Sequence, residues 1–370
     1  MSHVESGVPF LDLAGEFQAL RDEWFEAIAA SGTRGQFILG DHVSAFEREA
    51  ALWLGVRHAI GVANGTDALV LALRSLGIGP GDEVITTPFT FFASAEAISA
   101  VGARPVFADI DPATFNIDVA QIRQQVSGAT RALIPVHLYG QTADMDALNA
   151  VAAERGIPVI EDTAQAFGST WGGRRGGSMG SLGTFSFYPT KVLGGYGDGG
   201  LVTTGDDALA DAVRRLRNHG SETTFVHTEI GYNSRLDEIQ ASLLRIKLRS
   251  VEAAIAGRRR VAERYLERLA DTPLVLPERP GQAGHAWNVF TVRSRERDRL
   301  REHLRSRNIG CSVYYPVPMH LQPVYRDLGY REGDFPQAER ACAEVLSLPI
   351  FPDMREEQIE AVCAAIREAL

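Results

Sequence analysis

Cysteine is scarce in this chain of 370 residues. Cys311, Cys342 and Cys363 are odd in number and lack the spacing of metal-ligand pairs. That argues against a disulfide-stapled scaffold and points to reduced thiols in a cytoplasmic protein. The nine histidines form no His-x-x-x-His pair and no Cys/His cluster, so no metal site is expected. Basic residues are outnumbered, 37 against 47 acidic. The net charge of −10 argues against nucleic acid or an anionic membrane as a general partner. It leaves room for an anionic small ligand, which needs only local donors. No apolar run reaches membrane-spanning length, and the first residues show no leader pattern, so no membrane association is expected. Tandem repeats and low-complexity tails are also missing. What is present is 45% hydrophobic, enough for a substantial core, over a length suited to roughly two or three domains.

The apolar pattern organises the rest. An amphipathic helix lies within residues 10–31, with Phe17, Leu20, Trp24 and Ile28 at helical spacing, and a second carries Phe46, Ala50 and Trp53. Strands are then expected at 59–63, 83–87, 104–108, 131–136, 157–161, 183–187 and 200–204. Between them fall a helix through Leu69, Leu73 and Leu76 and others near 92–101, 117–125, 144–155 and 206–218. Such alternation predicts an α/β fold with a largely parallel sheet covered by helices on both faces. Ligands in such sheets collect beyond the carboxyl ends of the strands. From Leu236 to Leu269 the pattern is helical and arginine-rich, with an interruption expected near Gly257. Pro273, Pro277 and Pro280 punctuate its exit. Beyond lies a smaller α+β unit, with strands near 286–292 and 311–315 and helices near 295–307, 336–346 and 355–369. The expected domains are therefore 1–250 and 251–370, joined by the long helix, with the N-terminal segment packing on the smaller one.

Four fragments carry chemistry. In Ala63-Asn-Gly-Thr-Asp-Ala-Leu69, a strand hands over to a helix N-terminus at Gly65 and Thr66. Free amides and the helix dipole suit a phosphate there, although Thr66 as an ordinary helix cap explains the same residues. In Ile157-Pro-Val-Ile-Glu-Asp-Thr-Ala-Gln165, an apolar strand delivers Asp162 to its carboxyl end, with Gln165 just beyond. A carboxylate so placed can keep a heterocyclic nitrogen protonated; the plainer alternative is a cap on the next helix. The third fragment pairs Ser186 with Lys191. Pro189 ends a strand that alternates polar and aromatic residues, and Lys191 stands at its exit before a glycine-rich run. Aromatic neighbours would desolvate that amine, lower its pKa and suit it to form a Schiff base, whereas an ordinary loop lysine would keep its head in water. The fourth, Gly231-Tyr-Asn-Ser-Arg-Leu-Asp237, is a polar turn heading the long helix. A phosphate cradle, a carboxylate, an amide and a lysine on one sheet edge are the parts that pyridoxal phosphate requires.

These motifs, with Thr87-Pro-Phe-Thr-Phe91, Gly197-Asp-Gly-Gly200 and Leu346-Ser-Leu-Pro-Ile-Phe-Pro352, resemble the DegT/StrS sugar aminotransferases over nearly the whole chain. The resemblance implies a fold-type I pyridoxal-phosphate transferase, with a mainly parallel seven-stranded sheet in a large domain and a smaller C-terminal α+β domain. It implies that Lys191 is catalytic and carries the cofactor, that Asp162 pairs with the ring nitrogen, and that Gln165 lies near the ring hydroxyl. Phe91 would stack on the ring, and Gly65, Thr66 and Ser186 would hold the phosphate. Asn233 would reach the phosphate of a neighbouring subunit, making the active sites of a homodimer shared. Arg235, Tyr314, Tyr315 and His320 are the implied substrate contacts. Tyr314 stands where some relatives acting on uronic-acid sugars have His, which leaves the substrate's C6 group open. The implied reaction moves an amine from L-glutamate to a dTDP- or UDP-linked keto-sugar, giving an amino sugar and 2-oxoglutarate. Cyclitol or other non-nucleotide keto substrates are the alternative, and a pyridoxal-phosphate sensor without turnover is another. Two other matches lack their context. Gly176-Gly-Ser-Met-Gly180 fits a hydrolase elbow and Gly195-Tyr-Gly-Asp-Gly-Gly200 a dinucleotide loop, yet each leads into a strand rather than a helix.

Overall fold

A computed structural model describes residues 7–278 and 281–370; Pro280 of the expected proline punctuation lies outside them. Seven strands form one sheet. Their order is His58–Val62, Gly200–Thr204, Leu182–Ser186, Ile160–Asp162, Thr130–Leu133, Glu83–Thr86 and Arg104–Phe107. Parallel bridges Leu133↔Val159 and Val136↔Asp162 join its two halves. Only Gly200–Thr204 runs antiparallel to its neighbours. The reason is its connection: a parallel return needs a crossover, usually a helix, whereas residues 187–199 form a compact glycine-rich turn with no helix. Lys191 sits on that turn.

The strands are almost wholly buried because helices cover both faces. Successive side chains go to opposite cores. Val84 joins Leu69, Leu73, Ile98 and Val213 on one face, while Ile85 joins Ile122, Leu148 and Val151 on the other. The helix after the first strand, Gly65–Ser75, is capped by Asn64, whose side chain accepts from the Asp67 N–H at 2.8 Å. Thr66, the expected cap, lies inside the helix and is left facing the sheet's carboxyl edge.

The long helical stretch is two helices, Glu238–Leu248 and Val251–Arg268. The break falls at residues 249–250 instead of near Gly257, which lies within the second helix. Gly257 serves packing: a Cβ there would stand 2.6 Å from the Pro352 carbonyl oxygen. Beyond it a second core gathers Val261, Tyr265, Trp287, Phe290, Leu304, Leu346, Ile359 and Ile366. Its strands are Phe290–Arg293 and Val345–Leu348, paired antiparallel. The expected strand at 311–315 is reduced to a bridge between Ser312 and Ser347. The helix expected over 336–346 ends at Glu344, and the next four residues become a buried strand. Val8 pairs with Ile309, so the N-terminal segment lies against this core. Among the described residues no helix is long and apolar enough to cross a membrane.

Gly257 yields a test. Alanine normally stabilises a helix interior over glycine by about 1 kcal/mol. Here the added methyl must displace the Pro352 backbone, so Gly257→Ala is expected to destabilise the protein by about 1–3 kcal/mol. A urea midpoint that falls with unchanged m-value is the predicted result.

Candidate active site

A cavity of about 760 Å³ opens at the carboxyl ends of the strands. It is lined by nine of the twelve expected site residues: Gly65, Thr66, Phe91, Asp162, Gln165, Ser186, Lys191, Tyr314 and Tyr315. The cradle forms where two chain segments cross closely. A Cβ on Gly65 would lie 2.7 Å from the Ser186 Cβ, and one on Gly200 would lie 2.3 Å from the Asn64 carbonyl oxygen. The helix ladder starts with Ala68 N–H on the Asn64 carbonyl. The Gly65 and Thr66 amides therefore have no intrahelical acceptor and open toward Ser186, a ready anion site.

Asp162 ends its strand and is 4% exposed. One carboxylate oxygen accepts from Ser94 Oγ at 2.7 Å and the other from the Ala164 N–H at 3.2 Å. Burial raises its pKa above the ordinary carboxylate value, against the opposing pull of Ser94, Ala164, Lys191 and His137. No helix follows it directly, so it is no helix cap. Lys191 is half-buried and lines the same cavity. Burial lowers its pKa from 10.5 to about 8, although Asp162 pulls it upward. For both groups desolvation outweighs the mutual attraction. Gln165 is held at both ends of its amide. Its oxygen accepts from the Tyr139 N–H at 3.0 Å and its nitrogen donates to the Tyr315 hydroxyl at 2.7 Å. Phe91, 57% exposed, stands near Tyr315 at the mouth with ring centroids 6.1 Å apart.

Three expected residues are not brought to this cavity. Asn233 is exposed, and Arg235 donates to the Asn218 side chain at 3.0 Å. His320 is 1% exposed, with Nε2 3.0 Å from Glu339 and its ring set edge-on against Phe335. It packs beside Phe335 and Glu339 and does not line the cavity. Other residues escaped the sequence reading. Ser94 is three residues beyond Thr87-Pro-Phe-Thr-Phe91, in the first turn of the helix Ala93–Ala100 that this loop enters, a position that could have marked it. Asp198, Tyr188 and Asn288 also line the cavity. Asn288 comes from a distant loop with no pattern of its own.

The residues present fit pyridoxal phosphate. Unpartnered amides at the cradle match its phosphate, the under-compensated Asp162 carboxylate matches a protonated ring nitrogen, and Lys191 supplies a primary amine. The chain holds only two lysines. The other, Lys247, is 7% exposed and bound to Glu16 at 2.6 Å.

The profile of the DegT/DnrJ/EryC1/StrS aminotransferase family matches residues 18–367. A pleiotropic regulatory protein of Geobacillus stearothermophilus is 47% identical, covering 98% of each chain. A UDP-N-acetyl-3-dehydro-α-D-glucosamine 3-aminotransferase of Acidithiobacillus ferrooxidans is 46% identical, over 99% of this chain and 98% of the relative. Among solved structures, Streptomyces venezuelae DesV in complex with a ketimine intermediate superposes with a TM-score of 0.96 at 46% identity, covering 98% of both chains. NtdA of Bacillus subtilis with bound cofactor PMP gives a TM-score of 0.89 at 29% identity, over 98% of this chain and 85% of the other.

The lowered pKa of Lys191 is measurable. At neutral pH about 300-fold more of its amine is unprotonated than at the ordinary lysine value. Reductive methylation of the cofactor-free protein, read by mass on the Lys191 peptide, is expected to rise with pH through a midpoint near 8. Asp162→Asn removes the group that pulls this value up, so the midpoint moves lower still. A midpoint of the ordinary lysine in both proteins contradicts the burial argument.

Proposed function

The chain belongs to the DegT/DnrJ/EryC1/StrS aminotransferase family, and from that premise we propose that it transfers an amine from L-glutamate to a keto group on a UDP- or dTDP-linked sugar. The observation that carries the reading is the single cavity holding Lys191, Asp162 and the Gly65–Thr66–Ser186 cradle together. The 46% identity to an enzyme named for a UDP-linked amino sugar supports the substrate class.

Bound pyridoxal phosphate supplies an aldehyde for imine formation and a pyridinium ring that takes up the electron pair left by a departing Cα proton. The chain's residues do the rest. Lys191 would offer the amine that anchors the cofactor and, once freed by the donor amino acid, would take the proton from Cα and deliver it to the former aldehyde carbon across the imine nitrogen. A lysine at about 8 can do both near neutral pH. Asp162 would hold a proton at the ring nitrogen, and the cation there would offset the burial of its carboxylate. Gly65, Thr66 and Ser186 would hold the phosphate, Gln165 would orient the ring hydroxyl, and Phe91 would cover one face. Tyr314 and Tyr315 line the space left for the sugar.

We read residues 1–250 as the cofactor domain and 251–370 as the smaller one; the core around Leu69 and Val84 comes wholly from the former and that around Tyr265 and Phe290 mainly from the latter. Asn233 and Arg235 lie outside the cavity of their own chain, which supports a homodimer in which they serve the neighbour's site. Exposed Phe225, Val226 and Ile230 in the adjoining segment support the same interface. Three unbridged cysteines fit a cytoplasmic location.

Two experiments test this. Glutamate added to the cofactor-loaded protein is expected to release 2-oxoglutarate, and a panel of nucleotide keto-sugars to accept the amine. Lys191→Ala lowers both by about 10⁴-fold or more while circular dichroism is unchanged. A protein that binds the cofactor but releases no 2-oxoglutarate would be a sensor, as the regulatory name of one relative suggests. For the shared site, mixing Lys191→Ala with Asn233→Ala protein is expected to restore about a quarter of wild-type activity, because hybrid dimers keep one intact site. Absence of rescue at full subunit exchange contradicts it.

A further inference from the structure

Glu161 precedes Asp162 in the strand Ile160–Asp162. Strand alternation sends its side chain to the opposite face of the sheet from the cavity. Glu161 and His137 are both 0% exposed. The Glu161 carboxylate accepts four hydrogen bonds: from His137 Nε2 at 2.8 Å, and from the N–H groups of Gly177 at 2.8 Å, Met179 at 2.6 Å and Gly180 at 2.6 Å. The Ala143 N–H donates to His137 Nδ1 at 3.1 Å, which fixes the imidazole proton on Nε2, facing Glu161. Every partner is a donor, so both oxygens act as acceptors.

The three amides come from the Gly-x-Ser-x-Gly run that looked like a hydrolase elbow. Glycine is required there. Gly177 has φ +82°, where a Cβ would lie 2.2 Å from the Phe185 ring, and a Cβ on Gly180 would lie 2.6 Å from the Val159 carbonyl oxygen. The run is a nest wrapped around a carboxylate.

The partners belong to neighbouring strands that build the site. His137 follows Thr130–Leu133 and stands two residues before Tyr139, whose N–H fixes Gln165. Gly177–Gly180 precedes Leu182–Ser186, which ends at the cradle and leads to Lys191. Glu161 itself is covalently joined to Asp162. One carboxylate thus ties together the segments that present the amide, the acid, the phosphate hydroxyl and the amine.

We propose that Glu161 is a positioning residue: from the reverse face of the sheet it sets the spacing of the three strand ends between which the cofactor fits. The proposal rests on reading the cavity as the pyridoxal-phosphate site. Glu161→Gln keeps the size but turns an NH₂ toward at least one donor, leaving that donor unpaired. Glu161→Asp keeps the charge but draws it back from the loop.

Apo-protein of each kind is titrated with pyridoxal phosphate, and the bound cofactor's absorbance is followed across pH. Glu161→Gln is expected to raise Kd by about tenfold, on the scale of one lost buried hydrogen bond, and to move the pH midpoint of the absorbance band. Glu161→Asp is expected to do the same to a smaller extent, and carries the test if Glu161→Gln fails to fold. A purely structural role would lower the urea midpoint yet leave Kd and the pH midpoint at wild-type values; that result in either folded variant overturns the proposal. Wild-type protein that takes up no pyridoxal phosphate overturns instead the reading of the cavity on which it rests.

Discussion

Lys191 and Asp162 line one cavity, and the desolvation of both groups is the constraint on which the site depends. Opposite charges sharing a cavity would ordinarily stabilise each other. Here burial shifts each toward its neutral form, the amine down to about 8 and the carboxylate upward. The pair is therefore poorly compensated by its own chain. A cationic ring nitrogen beside Asp162 would supply the missing compensation, and at a pKa of about 8 roughly a tenth of the Lys191 amine is unprotonated at neutral pH.

The other buried carboxylates mark the contrast. Glu238 accepts from the N–H groups of Gly40, His42 and Val43, fastening the start of the helix Asp41–Leu54. Asp109 accepts from Gln337 and Ala338 at the start of the helix Pro336–Glu344, tying the sheet edge to the C-terminal part. Glu161 has four donors. Each of these acids is matched by backbone amides and acts as a staple. Asp162 has one hydroxyl and one amide at 3.2 Å. Under-satisfaction at a cavity wall separates Asp162 from the structural acids.

Much of this was legible in the sequence. Strand and helix periodicities alternate cleanly from Ala59 to Thr204, and an alternating pattern with short connections admits few topologies. Asp162 could be found because it ends an apolar run and Lys191 because it stands just past a strand closed by Pro189, and strand ends are where such sheets bind. The losses have physical causes. Val345–Leu348 is a short apolar run whose burial as strand or helix no periodicity separates. Gly257 looked like a helix breaker because its contact with Pro352 is tertiary and invisible locally. His320 sits in an aromatic-rich stretch, and only packing against Phe335 and Glu339 reveals that it faces inward. Ser94 acquires meaning only when the strand of Asp162 is laid beside its helix. The Gly-x-Ser-x-Gly run leads into the strand Leu182–Ser186, and its partner, Glu161, lies on another strand and cannot be paired with it from sequence alone.

The central claim is that the reactive nitrogen of this protein is the Lys191 amine. With only two lysines in the chain, the most direct test is borohydride reduction of the cofactor-loaded protein followed by peptide mapping. The account predicts a pyridoxyl group on Lys191 alone. A label on Lys247, which would have to leave Glu16 and its buried setting, or no label at all, would contradict it.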